Sequence, residues 1–215
     1  GIKNKYIEKK SIVGNIIRKE FFNFQPSLSN YKNFEKIKIL VLGGSQAAKV
    51  FAEKLPKIFK NCNDIGISLK IYQQCTPDQN DYLTSFYKKS NIDYEIFNFS
   101  NNILEYFSKV NLAITRSGSS MLAELLNARI PFISVPLPTS ADNHQLENAI
   151  YYKKNQYSYL IEEKNLNEKL FNLIKLIHGD SSLLNQITIN QKKYSDKFVY
   201  EKIEKEIDKI INEKY

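Results

Sequence analysis

The sequence has little of what builds disulfide-rich, zinc-binding or membrane-spanning proteins. It contains two cysteines, Cys62 and Cys75, and two histidines among 215 residues. Two cysteines are too few for a disulfide framework, and no paired Cys/His spacing is typical of zinc, so the composition favours a reducing cytosol. Since no stretch of about 18 apolar residues occurs, the sequence predicts no membrane-spanning helix.

The first residues are also unlike a secretion signal. Gly1 to Lys10 is polar and basic and lacks the apolar centre of a signal peptide. Met121 is the only methionine, and the absence of an initiator methionine is consistent with a chain that begins inside a longer protein.

Basic residues exceed acidic ones by 31 to 23, which gives a formal net charge of +8. Such an excess suits nucleic acid, an anionic lipid surface or a phosphorylated ligand. No arginine-rich run or nucleic-acid-binding motif accompanies it. We therefore interpret most of the charge as a solvated, lysine-rich surface and expect no nucleic-acid partner.

Strand-like and helix-like patterns alternate along most of the chain. A short mixed segment, Ile12 to Phe24, is interpreted as the tail of another domain, and the polar stretch Asn23 to Glu35 as a linker. Six strand signals with helical spacers then predict an α/β fold with a doubly wound, parallel, Rossmann-like sheet. The predicted strands are 36–42, 67–73, 94–99, 112–115, 131–135 and 157–161; the predicted helices are 46–60, 76–89, 102–109, 119–128, 142–153 and 166–177.

The last part of the chain, 181–215, is charged and carries apolar residues at helical intervals, which predicts a helical C-terminal segment. It would pack back on this domain or on a neighbouring one. The sequence is accordingly divided into 1–35, the end of a preceding domain with a linker; 36–180, a ligand-binding domain; and the segment 181–215.

Three loops that follow predicted strands are candidates for ligand binding, because ligands of such sheets bind outside the carboxyl ends of the strands. The first is Gly43-Gly44-Ser45-Gln46, whose glycines allow close approach of a ligand. It is not a GxGxxG fingerprint, and no acidic residue ends the second strand, so NAD is not expected. A plain strand-to-helix turn explains this motif equally well.

The second loop, Arg116 to Glu124, is the most informative stretch. Its small residues precede an apolar helix, whose free backbone amides and positive dipole end would suit a diphosphate. Glu124, about two turns into the helix, could accept hydrogen bonds from a ribose diol. The alternative is structural, with Ser117 as a helix N-cap and Glu124 as a surface residue.

The third loop begins at Val135 and contains Pro136 and Pro138, which stiffen it before a helix headed by Asp142. The first turns of that helix carry His144, Gln145 and Asn148, whose imidazole and amide groups suit sugar hydroxyls. A lone histidine is as readily structural as functional.

Together the three motifs resemble glycosyltransferase family 28, at the C-terminal half of the two-domain GT-B bacterial peptidoglycan N-acetylglucosaminyltransferases. The resemblance covers about residues 12–178. Gly14-Asn15-Ile16-Ile17-Arg18 also resembles the family's Gly-Asn-Pro-Val-Arg segment at the end of the N-terminal domain. Two positions depart from the pattern: Ile16 replaces proline, and Ala47 replaces glycine.

The resemblance implies an inverting enzyme that moves GlcNAc from UDP-GlcNAc to lipid I, a lipid-linked acceptor, in peptidoglycan synthesis. The enzyme would be cytoplasmic and peripheral on the inner face of the plasma membrane. Carried over by motif, Glu124 would bind the ribose, the backbone at Ser119 and Ser120 the diphosphate, and the backbone at Ser100 the uracil. Gln145, with His144 beside it, would contact GlcNAc, Ser45 would lie near the diphosphate, and Arg18 would lie at the interdomain cleft. The full set of predicted UDP-GlcNAc-binding residues is Arg18, Ser45, Ser100, Ser117, Gly118, Ser119, Ser120, Glu124, His144 and Gln145.

The same resemblance assigns the general base, the lipid-acceptor site and the membrane patch to an N-terminal domain of which this sequence holds only the end. No catalytic residue is therefore assigned, and this chain alone is expected to bind donor without turnover. The sequence carries no Asp-x-Asp metal clamp, so neither a metal nor another cofactor is expected, and a helix dipole would stabilise the departing UDP.

Three other functions stay open from the sequence. The chain would also suit a free-standing donor subunit of a split N-acetylglucosaminyltransferase, which a separate upstream reading frame would favour. A UDP-GlcNAc 2-epimerase shares the fold, and product analysis separates it. A nucleotide-sugar-binding module would show affinity without chemistry even when an acceptor domain is supplied.

Overall fold

A single parallel sheet organises the protein. The computed structural model describes residues 11–26, 35–44 and 49–212. Within them six strands pair in the order β3-β2-β1-β4-β5-β6, and every neighbouring pair is parallel. The strands are β1 Ile37–Leu42, β2 Leu69–Gln74, β3 Asp93–Phe97, β4 Leu112–Thr115, β5 Phe132–Ser134 and β6 Tyr159–Leu160. This order is that of the Rossmann fold, and it confirms the predicted doubly wound α/β class.

The helices lie on both faces of the sheet and at the C-terminal end. They are α1 Lys49–Asp64, α2 Asn80–Lys89, α3 Ile103–Phe107, α4 Ser119–Asn127, α5 His144–Lys154, α6 Leu166–Gly179, α7 Ser182–Gln191 and α8 Val199–Asn212. The last two confirm the predicted helical C-terminal segment. Among the described residues, none of the helices combines the length and apolarity needed to cross a membrane.

Central strand β1 shows why the sheet is buried on both sides. Its side chains alternate, so that Ile39 and Val41 join the core under α1, α2 and α6, while Leu40 and Leu42 join the core under α3 and α4. A strand covered on both faces needs an almost continuous apolar run, which is what the sequence has there. The loops at its carboxyl end are therefore held on a rigid base.

Several predicted boundaries differ from the observed ones by a few residues, and two of these differences have identifiable reasons. Strand β3 ends at Phe97 because Asn98 turns away and donates from Nδ2 to the carbonyl oxygen of Cys75 at 3.0 Å. Helix α5 begins at His144 and not at Asp142. Asp142 and Asn143 have φ angles of +48° and +54°, a left-handed conformation that an α-helix cannot contain.

The segment before the linker packs on the core of the sheet domain. Residues Lys19–Phe22 form a 3-10 helix. Phe21 is fully buried, and its ring meets that of Phe107 edge-on at a centroid distance of 5.7 Å. Ile17 is buried beside it, and its carbonyl oxygen accepts a hydrogen bond from the Tyr200 hydroxyl of α8 at 2.8 Å. The two ends of the described chain are thus joined on one side of the sheet.

Candidate functional site

The candidate site lies where the strand order reverses. The chain moves outward from β1 to β3 and then returns to place β4 on the other side of β1. In open sheets of this kind the loops after the two central strands diverge and leave a crevice for a ligand. Here those loops are 43–48 and 116–118, and the structure describes the first as far as Gly44. The predicted site residue Ser45 lies outside the described residues.

The start of α4 offers backbone donors to this crevice. Gly118 is the extended N-cap residue, with φ −66° and ψ 135°. The amide of Leu122 makes the first intrahelical bond, to the carbonyl oxygen of Gly118 at 3.1 Å. The amides of Ser119, Ser120 and Met121 precede that bond, so they have no acceptor within the helix and point beyond its end. Together with the helix dipole they form an anion-binding end.

Ser117 connects the start of α4 to the start of α5. Its amide donates to Oε1 of Gln145 at 3.1 Å, and its carbonyl oxygen accepts from Nδ2 of Asn148 at 3.0 Å. The same Gln145 oxygen accepts from the amide of Leu137 at 3.0 Å. The Ser117 amide is therefore already paired, whereas its buried hydroxyl has no hydrogen-bond partner among the described residues.

His144 lies beside this connection, at the start of α5. Its ring is exposed, and Nδ1 lies 2.7 Å from the carbonyl oxygen of Ala141. A carbonyl only accepts, so Nδ1 carries the proton, and in the neutral ring Nε2 is left as an acceptor. Because Ser117 bonds Gln145 and Asn148, the structure brings the predicted residues of the second and third motifs to one sheet edge.

Glu124 is held by Arg18. The carboxylate is almost buried, and its two oxygens accept from Nε and Nη2 of Arg18 at 2.9 and 3.2 Å. The hydrogen bond to Glu124 raises the pKa of the Arg18 guanidinium above its ordinary value, against the opposing effect of burial. Two residues that the sequence predicts separately thus form one bidentate pair, a geometry that the planar guanidinium favours. The alternative interpretation, in which Glu124 is a surface residue, is wrong, because Glu124 is 7% exposed.

Ser100 follows β3 at the other side of the crevice. Its hydroxyl accepts from the amide of Asn102 at 3.2 Å, which closes a short turn before α3. The neighbouring Phe99 is 77% exposed, although it is a large apolar side chain.

Arg116 was not predicted from the sequence as a residue with a role of its own. Its Nη1 donates to the carbonyl oxygens of Val135 and Pro136, both at 3.2 Å. Its Nη2 lies 2.6 Å from Oε2 of Glu163, and the guanidinium stacks over Phe51 at 4.9 Å from the ring centroid. Arg116 thereby ties the loops after β4, β5 and β6 to α1.

A sequence signal for Arg116 existed. Only three of the 31 basic residues are arginines, namely Arg18, Arg116 and Arg129. Each of them makes at least two hydrogen bonds through its guanidinium. In a chain that otherwise uses lysine, an arginine indicates a site at which the planar, forked guanidinium is needed for hydrogen bonding.

We predict that Glu163→Gln lowers the free energy of unfolding by about 1–3 kcal/mol, because it removes the charged partner of the nearly buried Arg116. Urea denaturation measures the loss. The matched control is Glu162→Gln, since Glu162 pairs with Lys164 at 3.1 Å on the exposed surface, and its expected cost is below about 0.5 kcal/mol. Equal losses for the two neighbours would contradict the role of Arg116.

Other reactive groups do not gather here. Among the described residues, no group of three or more His, Cys, Asp or Glu side chains could hold a metal ion. Burial raises the pKa of the Cys62 thiol to about 12 and that of the Cys75 thiol to about 11. Both thiols are protonated near neutral pH, so neither is an activated nucleophile.

Comparison with known proteins assigns the family. The model of the glycosyltransferase family 28 C-terminal domain matches residues 38–213. The chain belongs to this family. The match runs from the second residue of β1 to the residue after α8, and so covers nearly the whole sheet and the C-terminal helices. The family 28 chain is therefore built on a glycosyltransferase domain.

Similar proteins include an enzyme of Pelagibacter ubique named UDP-N-acetylglucosamine--N-acetylmuramyl-(pentapeptide) pyrophosphoryl-undecaprenol N-acetylglucosamine transferase. The family 28 chain is 34% identical to it over 215 residues, which are 97% of this chain and 58% of that protein. The chain thus spans less than two thirds of the length of this relative.

Two solved structures share the fold. Acinetobacter baumannii MurG superposes with a TM-score of 0.73 and 22% identity, over 86% of this chain and 55% of that chain. Staphylococcus aureus MnaA, in a co-structure with UDP, gives a TM-score of 0.66 and 15% identity, over 97% and 56%.

Proposed function

We propose that this domain binds UDP-GlcNAc as the donor half of an inverting N-acetylglucosaminyltransferase. One observation carries the proposal: the open N-terminus of α4 and the Arg18–Glu124 pair belong to the same short helix, at the crevice where the strand order reverses. A site for a diphosphate therefore lies within two helical turns of a buried carboxylate. A nucleoside diphosphate would use both groups, with its diphosphate at the helix N-terminus and its ribose hydroxyls at the carboxylate.

The diphosphate would lie at the head of α4. The amides of Ser119 and Ser120 and the dipole of the helix favour negative charge there. The buried Ser117 hydroxyl, which has no partner among the described residues, would gain one from a phosphate oxygen. The same donors would stabilise the charge that develops on UDP as its bond to the sugar breaks.

The ribose would lie on Glu124. A carboxylate has about four acceptor positions, and Arg18 occupies two of them, so hydroxyl groups have room to donate to the others. The two hydrogen bonds from Arg18 hold the carboxylate in a fixed orientation for that purpose. Its own guanidinium is about half exposed and could face the nucleotide as well.

The GlcNAc sugar and the uracil base would lie at opposite ends of the bound nucleotide sugar. Gln145 has given its oxygen to two backbone amides, so it would offer the sugar its amide NH₂ only. His144 would accept from a sugar hydroxyl through Nε2. The turn at Ser100 would receive the uracil, and Ser45 would lie near the diphosphate. These assignments follow the family motifs together with the contacts of the described residues.

The complete enzyme would transfer GlcNAc to a lipid-linked muramyl acceptor, as the name of the Pelagibacter ubique relative says of that protein. The residues that bind the acceptor and remove its proton would belong to a preceding N-terminal domain. Residues 1–35 would be the end of that domain, 36–180 the donor domain and 181–215 a segment that also contacts the neighbour. The enzyme would act in the cytoplasm, peripheral on the inner face of the plasma membrane.

Calorimetric titration of the 215-residue chain tests the donor site. We expect saturable binding of UDP-GlcNAc, competition by UDP, weaker binding of GDP and no change when EDTA removes divalent cations. Neither transfer nor hydrolysis of GlcNAc should follow. Absence of UDP binding would contradict the proposal, and release of the 2-epimer of UDP-GlcNAc would support an epimerase in its place.

A further inference from the structure

Asp196, between α7 and α8, is a buried carboxylate that no part of the proposed site uses. It is 3% exposed. Its oxygens accept four hydrogen bonds, from the backbone amide and Nδ2 of Asn15, the hydroxyl of Tyr194 and Nδ2 of Asn127. The four donors come from three regions that are far apart in the sequence. Asp196 therefore joins the start of the described chain, α4 and the C-terminal segment.

On one side Asp196 fixes the segment that carries Arg18. The amide of Asn15 donates to Oδ1 at 2.9 Å, and Nδ2 of Asn15 donates to Oδ2 at 3.2 Å. The contact explains the preceding glycine, because Gly14 has a φ of +111° and a Cβ there would lie 2.5 Å from Oδ1 of Asp196. Three residues beyond Asn15, the segment reaches Arg18.

On the other side Asp196 fixes the helix that carries Glu124. Nδ2 of Asn127 donates to Oδ2 of Asp196 at 2.8 Å, and the amide of Asp196 donates back to Oδ1 of Asn127 at 2.9 Å. Asn127 lies on α4, one turn after Glu124. The segment and the helix are thus linked twice, directly by Arg18 and Glu124 and indirectly through Asp196.

We propose that Asp196 is a positioning residue of the donor site, which through Asn15 and Asn127 sets the guanidinium of Arg18 on the carboxylate of Glu124. The inference rests on the proposed function only in assigning the Arg18–Glu124 pair to the nucleotide. The pairing itself is tested without a nucleotide, so the two proposals fail separately.

The first test observes Arg18 directly in the 215-residue chain. Three arginines give three Nε–H signals in an ¹⁵N spectrum, and the variants Arg18→Lys and Arg116→Lys assign two of them. In Asp196→Asn we expect hydrogen exchange at Arg18 Nε to become about tenfold faster, the equivalent of one charged hydrogen bond. The Arg116 signal should stay unchanged, whereas general loosening of the fold would move it too.

A second variant tests the arrangement of donors and acceptors. In Asp196→Asn the new amide faces Nδ2 of Asn127, so that two donors meet. Adding Asn127→Asp supplies an acceptor opposite that amide but loses the bond from Nδ2 of Asn127 to the carbonyl oxygen of Ala123. It should therefore return the Arg18 signal part of the way toward its original exchange rate. Where Asp196→Asn does not fold, Asn15→Ala replaces it, because it removes the Nδ2 bonds of a half-buried side chain and leaves the Asp196 carboxylate in place.

The last measurement is UDP affinity in two backgrounds. Asp196→Asn should weaken UDP binding about fivefold to tenfold in the original chain and less than about twofold when Arg18→Ala is present. Equal weakening in both backgrounds, or an unchanged Arg18 signal, would overturn the positioning role. If the original chain binds no UDP, the proposed function fails, and the Arg18 signal still decides the role of Asp196.

Discussion

Glu124→Ala is expected to weaken the binding of UDP-GlcNAc by about 1–3 kcal/mol, or roughly 5- to 150-fold. The variant removes the two oxygens that would accept from the ribose, and it leaves the Arg18 guanidinium without the partner to which both of its bonds to α4 are made. Hydrogen bonds to a charged acceptor are worth more than neutral ones, so losing the carboxylate costs more than losing an average hydrogen bond. Isothermal calorimetry on the 215-residue chain measures the change.

Two control variants make this measurement specific. Glu168→Ala removes a carboxylate from an exposed position of α6, away from the crevice, and should leave the affinity unchanged. Glu124→Gln keeps an acceptor oxygen for the ribose but loses the charge that pairs with Arg18, so its affinity should lie between those of Glu124→Ala and the original chain. An unchanged affinity in Glu124→Ala would remove Glu124 from the site.

Phe21→Ala is expected to lower the free energy of unfolding by about 3–5 kcal/mol, the usual cost of emptying a fully buried phenylalanine site. Phe21 has no exposed surface, and its ring packs on that of Phe107 in the layer of α3 and α4. The loss would be large for a segment that precedes a linker and the first strand. Urea denaturation of the 215-residue chain measures it.

The matched control is Phe198→Ala, because Phe198 is the same residue type and is 55% exposed. Its expected cost is within about 0.5 kcal/mol. A small loss for both variants would mean that the segment around Phe21 detaches in solution. A large loss for Phe21 alone would mean that residues formally preceding the linker are an integral part of the sheet domain.

The fold was largely predictable from the sequence because both faces of the sheet are covered. Strands such as β1 and β4 are almost continuously apolar, and glycine, proline or polar residues separate them from their helices. Two errors in the predicted ends of elements have a local cause. Asn98 ends β3 by donating a hydrogen bond to the carbonyl oxygen of Cys75, and the left-handed conformation of Asp142 and Asn143 moves the start of α5 to His144. Neither feature changes the hydrophobic periodicity of the sequence.

The site was predictable in its position but not in its internal contacts. Following strands to their carboxyl ends located Ser117 and Gln145 at one edge, because parallel strands place those loops together. The pairing of Arg18 with Glu124 joins residues 106 positions apart, and spacing along the chain carries no information about such a contact. The same holds for Asp196 with Asn15. The three arginines of this lysine-rich chain do mark where a forked donor is used.

One oxygen atom of Gln145 receives the amides of Ser117 and Leu137 and so fastens the loop after β4 to the loop after β5. The loops after β4 and β5 are thus coupled, because moving either one away from Gln145 breaks one of these two hydrogen bonds. Selection among sugars of different size would consequently be made here by steric exclusion. A larger substrate would be accommodated by movement of the turn after β3, on the other side of the crevice, where the Phe99 side chain is exposed.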